Sequence, residues 1–516
     1  MKKFIQHTTW LTAIVTLIAG CVKDKGNYDL VGIPGFATKG STVTVNGTAA
    51  DISGQNTVRI NANDHVKIVM QDEMAKDFDP VYSWMMYEID PLLKAGSLPD
   101  PAVEIASTKD FEQNFGKGPG KYQLYRKTSN KRNGNAFFDT FIIEVASVNG
   151  LMVYHKNAAG KADYSVIRSA EMGLGLPADK MGITRNVFSA INQGRTIDKP
   201  SHLWLRQIDD GNNPSLILAG SSDGMTLINY RTHVFEHNSY TGLFAFPLES
   251  APAPQGHMNG SNKIEFLVQH GELYYINYMM AAATPKFVQL STPGTSYSPH
   301  MMTIPTSMQP YRMYSNVVFN QTQQRFEYED NGFLMPFMGA PGPLGALDVD
   351  PSATQMELVY MAKGKDNTID AVMKNALGHL RFVVFDITDP YAVVCLQNID
   401  LSAWQPLTST SHWAMGERGP VAFFTGNNNI YALNHENATA TVQVSVPAAA
   451  SIKVMKVLKD GQNPEFDNAI LFIGYNEGNT GTIVQYAFNP ASGAINAGSR
   501  KVYTGMGEIL DIVLKK

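Results

Sequence analysis

The stretch that decides the fold consists of two short apolar segments and the turn between them: Leu216-Ile217-Leu218-Ala219, Gly220-Ser221-Ser222-Asp223-Gly224 and Met225-Thr226-Leu227-Ile228-Asn229-Tyr230. Short runs of aliphatic and aromatic residues, bounded by glycine and aspartate, predict two β-strands joined as a hairpin. Glycine and proline, with 43 and 27 occurrences in 516 residues, interrupt the chain too often for long helices. The sequence therefore predicts an all-β protein.

The same strand-turn-strand pattern occurs seven times after residue 149. The starts are spaced by about 45 to 65 residues, which is the scale of one propeller blade with its loops. A seven-bladed β-propeller is therefore predicted for residues 149–516, with two packed β-sandwiches as the alternative. We expect the final segment, 509–514, to pair with the first blade and cover its edge. The other six pairs are 151–154 with 164–167, 265–268 with 273–276, 315–319 with 325–328, 358–361 with 381–385, 421–424 with 429–433, and 470–473 with 482–486.

The sequence of residues 30–148 predicts a separate, smaller β-domain. Segments 41–45, 57–60 and 66–70 alternate apolar and polar residues, as half-buried strands do. Trp84 lies in the middle of a further strand-like segment, and one central tryptophan among several short strands is typical of an immunoglobulin-like sandwich. We expect Trp84 to pack in the core rather than to serve as a sugar-binding platform.

The N-terminal 20 residues have the features of a secretory signal. Lys2 and Lys3 precede an apolar segment, 11–19, that is too short for a permanent membrane helix. Residues 17–21 resemble the lipobox of bacterial lipoproteins, in which the cysteine, here Cys21, is acylated and becomes the new N-terminus. We therefore expect Cys21 to anchor the chain in outer-membrane lipid and residues 21–29 to form a tether. Asp24, between two lysines, leaves the cell surface and the periplasmic face as alternatives.

Five motifs together carry a resemblance to a known family. They are Cys21 followed by Lys23-Asp24-Lys25-Gly26-Asn27-Tyr28-Asp29, Tyr82-x-Trp84, Pro119-Gly120-x-Tyr122, the segment 150–155 and the segment 505–512. In these motifs the chain resembles the PKD-like lipoproteins of Bacteroidetes. The resemblance implies a PKD-type sandwich near the N-terminus and a role beside SusC/SusD-like transporters of the outer membrane. It implies no catalytic residues.

Composition excludes several classes of protein. Lys and Arg number 41 against 46 Asp and Glu, and no basic tract is present, so a nucleic-acid partner is not expected. The two cysteines, Cys21 and Cys395, supply neither a disulfide framework nor a zinc cluster. Cys395 is expected in the core, and no cofactor is expected.

Three catalytic or metal motifs match in form but not in context. His233 and His237 fit a zinc-peptidase pattern that requires a helix, whereas the neighbouring sequence is strand-like. Ser222 sits at the centre of Gly-x-Ser-x-Gly, but a strand rather than a helix follows it. Asp348 and Asp350 resemble the start of a calcium loop that Pro351 interrupts. We therefore expect a protein that is not an enzyme.

The predicted ligand-binding surface lies in residues 403–419, which lack a clean strand pattern. Its members combine aromatic rings with polar groups, the combination that holds sugars and peptides: Trp404, His412, Trp413, Glu417 and Arg418. We expect a non-catalytic binding or accessory lipoprotein of a SusCD-like system for glycan or peptide uptake. The alternatives are a membrane-anchored propeller hydrolase or lyase and a protein-interaction scaffold.

Overall fold

The described part of the protein is all-β, with strands as its main regular structure and almost no helix. The computed structural model describes residues 36–516, apart from residues 51, 54–55, 62–63, 90–101, 147, 175–180, 208–214, 223, 239, 249–250, 261–262, 280–285, 304–315, 331, 341–348, 403, 405–406 and 460–462. Helix is limited to α1 (Val187–Ile191) and the short 3₁₀ turns Ala170–Met172, Thr241–Leu243 and Lys365–Asn367 among these residues. The predicted signal segment, Cys21 and the tether lie outside the described residues.

The described residues form two compact units. One comprises residues up to 58, 65–113 and 122–143, and the other comprises 59–64, 114–121 and 144–516. The predicted domains were 30–148 and 149–516, so the second unit starts five residues earlier than predicted and includes two short segments from within the first range.

The first ten strands form two antiparallel sheets. The four-stranded sheet has the order β2-β1-β5-β8 and the six-stranded sheet has the order β3-β4-β10-β9-β6-β7. The strands are β1 (Phe36–Val45), β2 (Thr48–Ala49), β3 (Ile52–Ser53), β4 (Thr57–Ile60), β5 (His65–Met74), β6 (Pro80–Glu88), β7 (Val103–Ala106), β8 (Phe111–Asn114), β9 (Gly120–Asn130) and β10 (Ala136–Val145).

Aromatic side chains fill the space between these two sheets. Trp84 of β6 is fully buried, and its ring lies 5.5 Å from that of Phe111 on β8 and 6.1 Å from that of Phe141 on β10. The indole Nε1 donates to the carbonyl of Thr108 at 3.0 Å. The core position predicted for Trp84 is confirmed, because the ring has no face open to a ligand.

Strands β11 to β38 form seven four-stranded antiparallel sheets in the described part of the chain. Sheet 1 has the order β13-β12-β11-β38, and sheets 2 to 7 each use four consecutive strands, from β14–β17 to β34–β37. The strands of sheets 1 to 4 are β11 (Gly150–Lys156), β12 (Ala162–Arg168), β13 (Gly182–Thr184), β38 (Glu508–Lys515), β14 (Pro200–Arg206), β15 (Leu216–Ser221), β16 (Gly224–Asn229), β17 (Phe235–Asn238), β18 (Pro254–Asn259), β19 (Ile264–Gln269), β20 (Glu272–Asn277), β21 (Val288–Gln289), β22 (Met302–Thr303), β23 (Asn316–Asn320), β24 (Arg325–Asp330) and β25 (Phe333–Pro336). Those of sheets 5 to 7 are β26 (Met356–Lys363), β27 (Thr368–Asn375), β28 (Leu380–Asp386), β29 (Val394–Asp400), β30 (Trp413–Met415), β31 (Val421–Gly426), β32 (Asn429–Asn434), β33 (Thr439–Ser445), β34 (Ser451–Val457), β35 (Ile470–Glu477), β36 (Thr480–Phe488) and β37 (Ile495–Met506).

Each of these sheets packs on both faces. Along β15, Ile217 and Ala219 enter a cluster shared with sheet 1, whereas Leu216 and Leu218 enter one shared with sheet 3. This follows from the two-residue period of a strand, and it explains why the middle strands are continuously apolar in sequence. Seven such clusters each join two successive sheets, and one of them joins sheet 7 to sheet 1.

The seven sheets close into a ring, as in a β-propeller. β38 pairs with β11 from Lys515 opposite Gly150 to Glu508 opposite Lys156, so the strand expected to close the ring does so. One edge strand of every sheet also contacts the equivalent strand of both neighbours. These innermost strands are β38, β14, β18, β22, β26, β30 and β34.

The predicted strand pairs hold in six of the seven sheets. In sheet 5 the prediction was wrong: the segments 358–361 and 381–385 lie in β26 and β28, and β27 pairs between them. β27 includes Asp370 and Lys374, and these charged residues interrupt the apolar pattern by which the strand would be recognised in the sequence.

The rejected catalytic motifs occupy strand and turn positions. Ser221 pairs with Gly224 at the end of the β15–β16 hairpin, as expected. His233 is fully buried and accepts from or donates to the Tyr164 hydroxyl at 2.7 Å, while His237 lies on β17. Cys395, predicted in the core, is only half-buried, because it lies on the outermost strand β29 and packs against the edge of a cluster.

Candidate functional site: a cavity between innermost strands

The site begins with a cavity of about 530 Å³ within the propeller. Its walls come from the innermost strands β26, β30, β34 and β38, together with the segment before β22. The polar and aromatic residues of its lining include His300, Tyr360, Ser409, Thr410, Ser411, His412, Lys453, Lys456 and Lys459. Because innermost strands of several sheets converge here, residues far apart in sequence line one space.

A β-bulge places Lys453 at the cavity. The register between β34 and β35 shifts between Ile452 and Val454, so Lys453 is the unpaired extra residue. β26 has the same irregularity between Leu358 and Tyr360. A bulge breaks the two-residue alternation and re-aims side chains. Lys453 is exposed, and no hydrogen bond or ion pair holds it among the described residues.

The other two lysines of the cavity are held by carboxylates. Lys456 Nζ lies 3.1 Å from Asp511 Oδ1 on β38. Asp511 also accepts from the main-chain N–H of Leu203 on β14 at 3.1 Å, so it links three neighbouring innermost strands. Lys459 Nζ lies 2.8 Å from Glu417, which also binds Lys363 at 2.9 Å. These contacts restrain both ammonium groups, although the two lysine side chains stay partly exposed.

Two histidines of the cavity are neutral near pH 7. Burial lowers the pKa of His300 to about 4, and its ring lies 5.0 Å from that of Tyr360. Burial, with a contribution from Lys453, also lowers the pKa of His412, whereas its hydrogen bond with Ile452 raises it. His412 Nε2 lies 3.1 Å from the Ile452 carbonyl, which can only accept, so this nitrogen carries the proton.

A turn rich in hydroxyl groups borders the cavity. Thr408 N donates to Ser411 Oγ at 3.1 Å, and the hydroxyls of Thr408 and Thr410 lie 3.0 Å apart. Ser409, Thr410 and Ser411 all reach the cavity. The polar lining therefore consists of hydroxyl, imidazole and ammonium groups.

The structure divides the five predicted site residues. His412 and Trp413 line the cavity. Trp404, however, is half-buried and stacks on Phe424 at 6.5 Å, and Trp413 is only 4% exposed with its ring 5.2 Å from the same phenyl group. Both tryptophans thus pack in a core cluster rather than on an open loop. The prediction treated residues 403–419 as one loop, but Trp413 begins β30.

Glu417 and Arg418 form hydrogen bonds that link two loops of the propeller. Glu417 N donates to Asn468 Oδ1 at 2.9 Å, and Arg418 Nη1 donates to the carbonyls of Pro464 at 2.6 Å and Asp467 at 3.2 Å. They join the connection after β30 to the one after β34. Their role in ligand binding stays a prediction.

Sequence reasoning missed most of the polar groups on the innermost strands. Each of these strands is short or bulged, and most lack the apolar run that marked the middle strands, although the segments 358–361 of β26 and 509–514 of β38 were predicted as strands. A weak signal was present, since aromatic or ionisable residues precede some of the predicted repeats, such as Trp204 ahead of 216–219 and His257 ahead of 265–268. The missed residues are His202, Trp204, His257, His300, Tyr360, Lys453, Lys456 and Asp511.

A buried acid and a buried histidine lie beside Glu417. Asp370 of β27 is 1% exposed, and its Oδ2 is 3.6 Å from His435 Nε2. Burial raises the pKa of Asp370 to about 7, although the Thr368 hydroxyl, 2.9 Å away, lowers it. Burial lowers the pKa of His435 to about 4. The pair is therefore uncharged at mildly acidic pH. A Cβ on Gly364 would overlap the Asp370 carboxylate, so the site also requires glycine there.

We predict that Asp370→Asn changes how stability depends on pH. The folded pKa of about 7 lies above the ordinary 3.8, so the parent protein loses stability as pH rises through this interval. The variant carries no ionisable group there and keeps an acceptor for Thr368. It should match the parent near pH 4 and be more stable above pH 7, by on the order of 2–4 kcal/mol. Thermal denaturation across pH 4–9 measures this, with the exposed Asp366→Asn as the control that should follow the parent. A parent and variant with parallel pH curves would contradict the prediction.

No group of three or more potential metal ligands is present among the residues that the structure describes. Of the predicted calcium-loop residues, Asp348 lies outside the described residues, and Asp350 Oδ1 accepts from the main chain of Ser352 at 2.8 Å and from its hydroxyl at 2.7 Å. The described helices include none that is both long enough and apolar enough to cross a membrane.

Comparison with known proteins yields structural likeness at low sequence identity. No protein-family model matches the chain, and no curated protein matches it. Similar solved structures include AztD from Citrobacter koseri (8% identity, TM-score 0.38, 85% of this chain and 99% of that chain). They also include the extracellular domain of a one-component system from B. thetaiotaomicron (8% identity, TM-score 0.35, 89% and 70%). The β-propeller domain of Nup133 from Vanderwaltozyma polyspora is a third (10% identity, TM-score 0.31, 60% and 87%). At such TM-scores the fold assignment rests on the strand pairing described above.

Proposed function

We propose that this protein is a non-catalytic, lipid-anchored binding protein of the outer membrane. In this proposal the seven sheets are the blades of a propeller, and the N-terminal strands form a PKD-like, immunoglobulin-type sandwich. The propeller captures a glycan or peptide for a SusCD-like uptake system. The observation that carries the proposal is the cavity between innermost strands, with its mixture of apolar walls and convergent polar groups.

The size and lining of the cavity suit a small ligand. Ligand sites are typically concavities of about 300–1,000 Å³ with apolar walls and a few placed polar groups. The cavity, at about 530 Å³, has Val359, Met415 and Leu514 among its apolar members. Tyr360 adds a ring, the kind of surface on which sugars and peptides pack.

The proposed location rests on the N-terminal sequence. Cys21 follows an apolar segment at the expected cleavage point, and the polar residues after it suit a tether. A multiply acylated cysteine would hold the domains at the membrane, because each buried methylene contributes about 0.8 kcal/mol. Mass spectrometry of the membrane-extracted protein tests this step, and an unmodified Cys21 would contradict it.

We predict that Tyr360→Ala weakens ligand binding by about tenfold, because the ring supplies packing area at the cavity wall. The test is calorimetric titration of the chain lacking residues 1–21, which keeps every described residue, against a panel of glycans and peptides. The matched control is Tyr391→Ala, since Tyr391 is 63% exposed and does not line the cavity. Tyr360→Phe, which keeps the ring, should bind nearly as the parent does.

Two outcomes would count against the proposal. Equal loss of affinity in Tyr360→Ala and Tyr391→Ala would move the binding site away from the cavity. Degradation of any panel member by the purified protein, lost on changing an acidic residue of the propeller, would favour the hydrolase or lyase alternative.

A further inference from the structure

We infer that the cavity binds an anionic oligosaccharide, with Lys453 as the residue that selects for its carboxylate or sulfate group. This inference rests on the proposed binding function and adds the chemical class of the ligand.

The charged residues of the cavity lining are all lysines. Three lysines line the cavity, and none of the described lining residues carries a carboxylate. Asp511 balances Lys456 and Glu417 lies between Lys459 and Lys363, but no described side chain balances Lys453. A cationic ligand would meet repulsion here, whereas an anion would gain a charge-assisted hydrogen bond.

Two of the three lysines are already restrained. Salt bridges with carboxylates hold Lys456 and Lys459, so less side-chain freedom remains to be lost at these two residues when a ligand binds, whereas Lys453 becomes ordered on binding. Lys453 sits at a bulge of β34, which is a recurrent way of aiming one side chain at a site. His300 and His412 are neutral at pH 7, so the attraction comes from the lysines and persists across neutral pH.

The neutral polar groups of the lining favour a saccharide over an acidic peptide. The neutral part of the polar lining consists of Ser409, Thr410, Ser411 and the two imidazoles. Hydroxyls and imidazoles both donate and accept, as the ring hydroxyls of a sugar do. Tyr360 adds a ring for the apolar face of a pyranose.

The test is titration of the chain lacking residues 1–21 with three hexasaccharides: a galacturonate hexamer, a sulfated glucose hexamer and an unmodified glucose hexamer. We expect the parent to bind at least one anionic hexamer more tightly than the neutral one, and the preferred hexamer identifies the charged group. Lys453→Gln should weaken anion binding by about tenfold and Lys453→Glu by more, with neutral binding unchanged. Lys286→Glu, the same change at an exposed lysine outside the cavity, should leave every affinity unchanged. Matching thermal transitions show that each variant folds.

Different results separate this inference from the proposed function. If the neutral hexamer binds as tightly as the anionic ones, or Lys453→Glu keeps full affinity while Tyr360→Ala does not, the cavity binds ligand but the inference is wrong. If a poly-glutamate peptide binds more tightly than every hexamer, the ligand class is an acidic peptide and the inference is also wrong. If no hexamer and no peptide binds, both proposals fail.

Discussion

A chain that ends at Gly507 should not fold cooperatively. The deletion removes β38, which pairs along the whole of β11 and closes the ring. Ile509 and Ile512, both fully buried, leave the cluster that joins sheets 7 and 1, and each contributes roughly 1.5–3 kcal/mol by burial. With the lost strand pairing, the total approaches the roughly 5–15 kcal/mol by which a typical protein is stable. Circular dichroism should show no sharp thermal transition for the propeller, and gel filtration should show aggregation through the exposed edge of β11.

The point variant Lys516→Ala is the control for this truncation, because it keeps β38 and the main chain that follows it. A synthetic peptide of residues 508–516, added in trans, should restore a transition by pairing with β11. A truncated chain with the parental melting temperature would show that β38 is dispensable, contrary to its buried position.

Arg126→Leu should destabilise the N-terminal unit by about 3–5 kcal/mol. Arg126 is fully buried between the two N-terminal sheets and binds Asp72 at 2.7 and 2.9 Å and Asp139 at 2.7 and 3.1 Å. Burial lowers the pKa of Arg126, but the two carboxylates outweigh it and the pKa is raised. Without the guanidinium, the Asp72 side chain, which is 0% exposed, is left as a buried charge without its partner. Urea denaturation measures the loss, with hydrogen exchange of the β6 main chain around Trp84 reporting on the N-terminal unit, because the propeller carries tryptophans of its own.

Two further variants separate charge from packing at this site. Lys39→Ala removes a salt bridge with Glu73 whose partners are 63% and 65% exposed, so it should cost at most about 1 kcal/mol. Adding Asp72→Asn and Asp139→Asn to Arg126→Leu should recover part of the stability, because no buried charge remains. If the triple variant is no more stable than Arg126→Leu, the loss comes from packing and the electrostatic account is wrong.

The strands that could be predicted from the sequence are mainly those in the middle of each sheet. β15 and β16 are buried on both faces, so they are continuously apolar in sequence and end at a glycine turn. β27 was not predicted, because its apolar run is interrupted by Asp370. A buried aspartate with a raised pKa cannot be distinguished from a surface aspartate in the sequence. Local composition thus located the hairpins and failed where tertiary burial overrides residue type.

The candidate site was only partly predictable. Of the residues predicted to bind ligand from their aromatic and polar character, His412 and Trp413 line the cavity, and their role in binding stays a prediction. Lys453 could not be predicted as a cavity residue, because a bulge changes which face of the strand a residue occupies. The local sequence gives no sign of this bulge. The remaining lining residues lie between 300 and 514, and only closure of the ring brings them together.

The clusters shared between neighbouring sheets also determine how the propeller comes apart. In a linear repeat array the terminal unit touches one neighbour, so it frays first and needs a dedicated cap. Here every sheet shares a cluster with two neighbours, including sheet 1 with sheet 7. No sheet is terminal, and losing any one of them breaks two interfaces at once. The pairing of β38 with β11 therefore closes the ring so that no terminal sheet is left to unfold first. It makes sheet-by-sheet unfolding unfavourable.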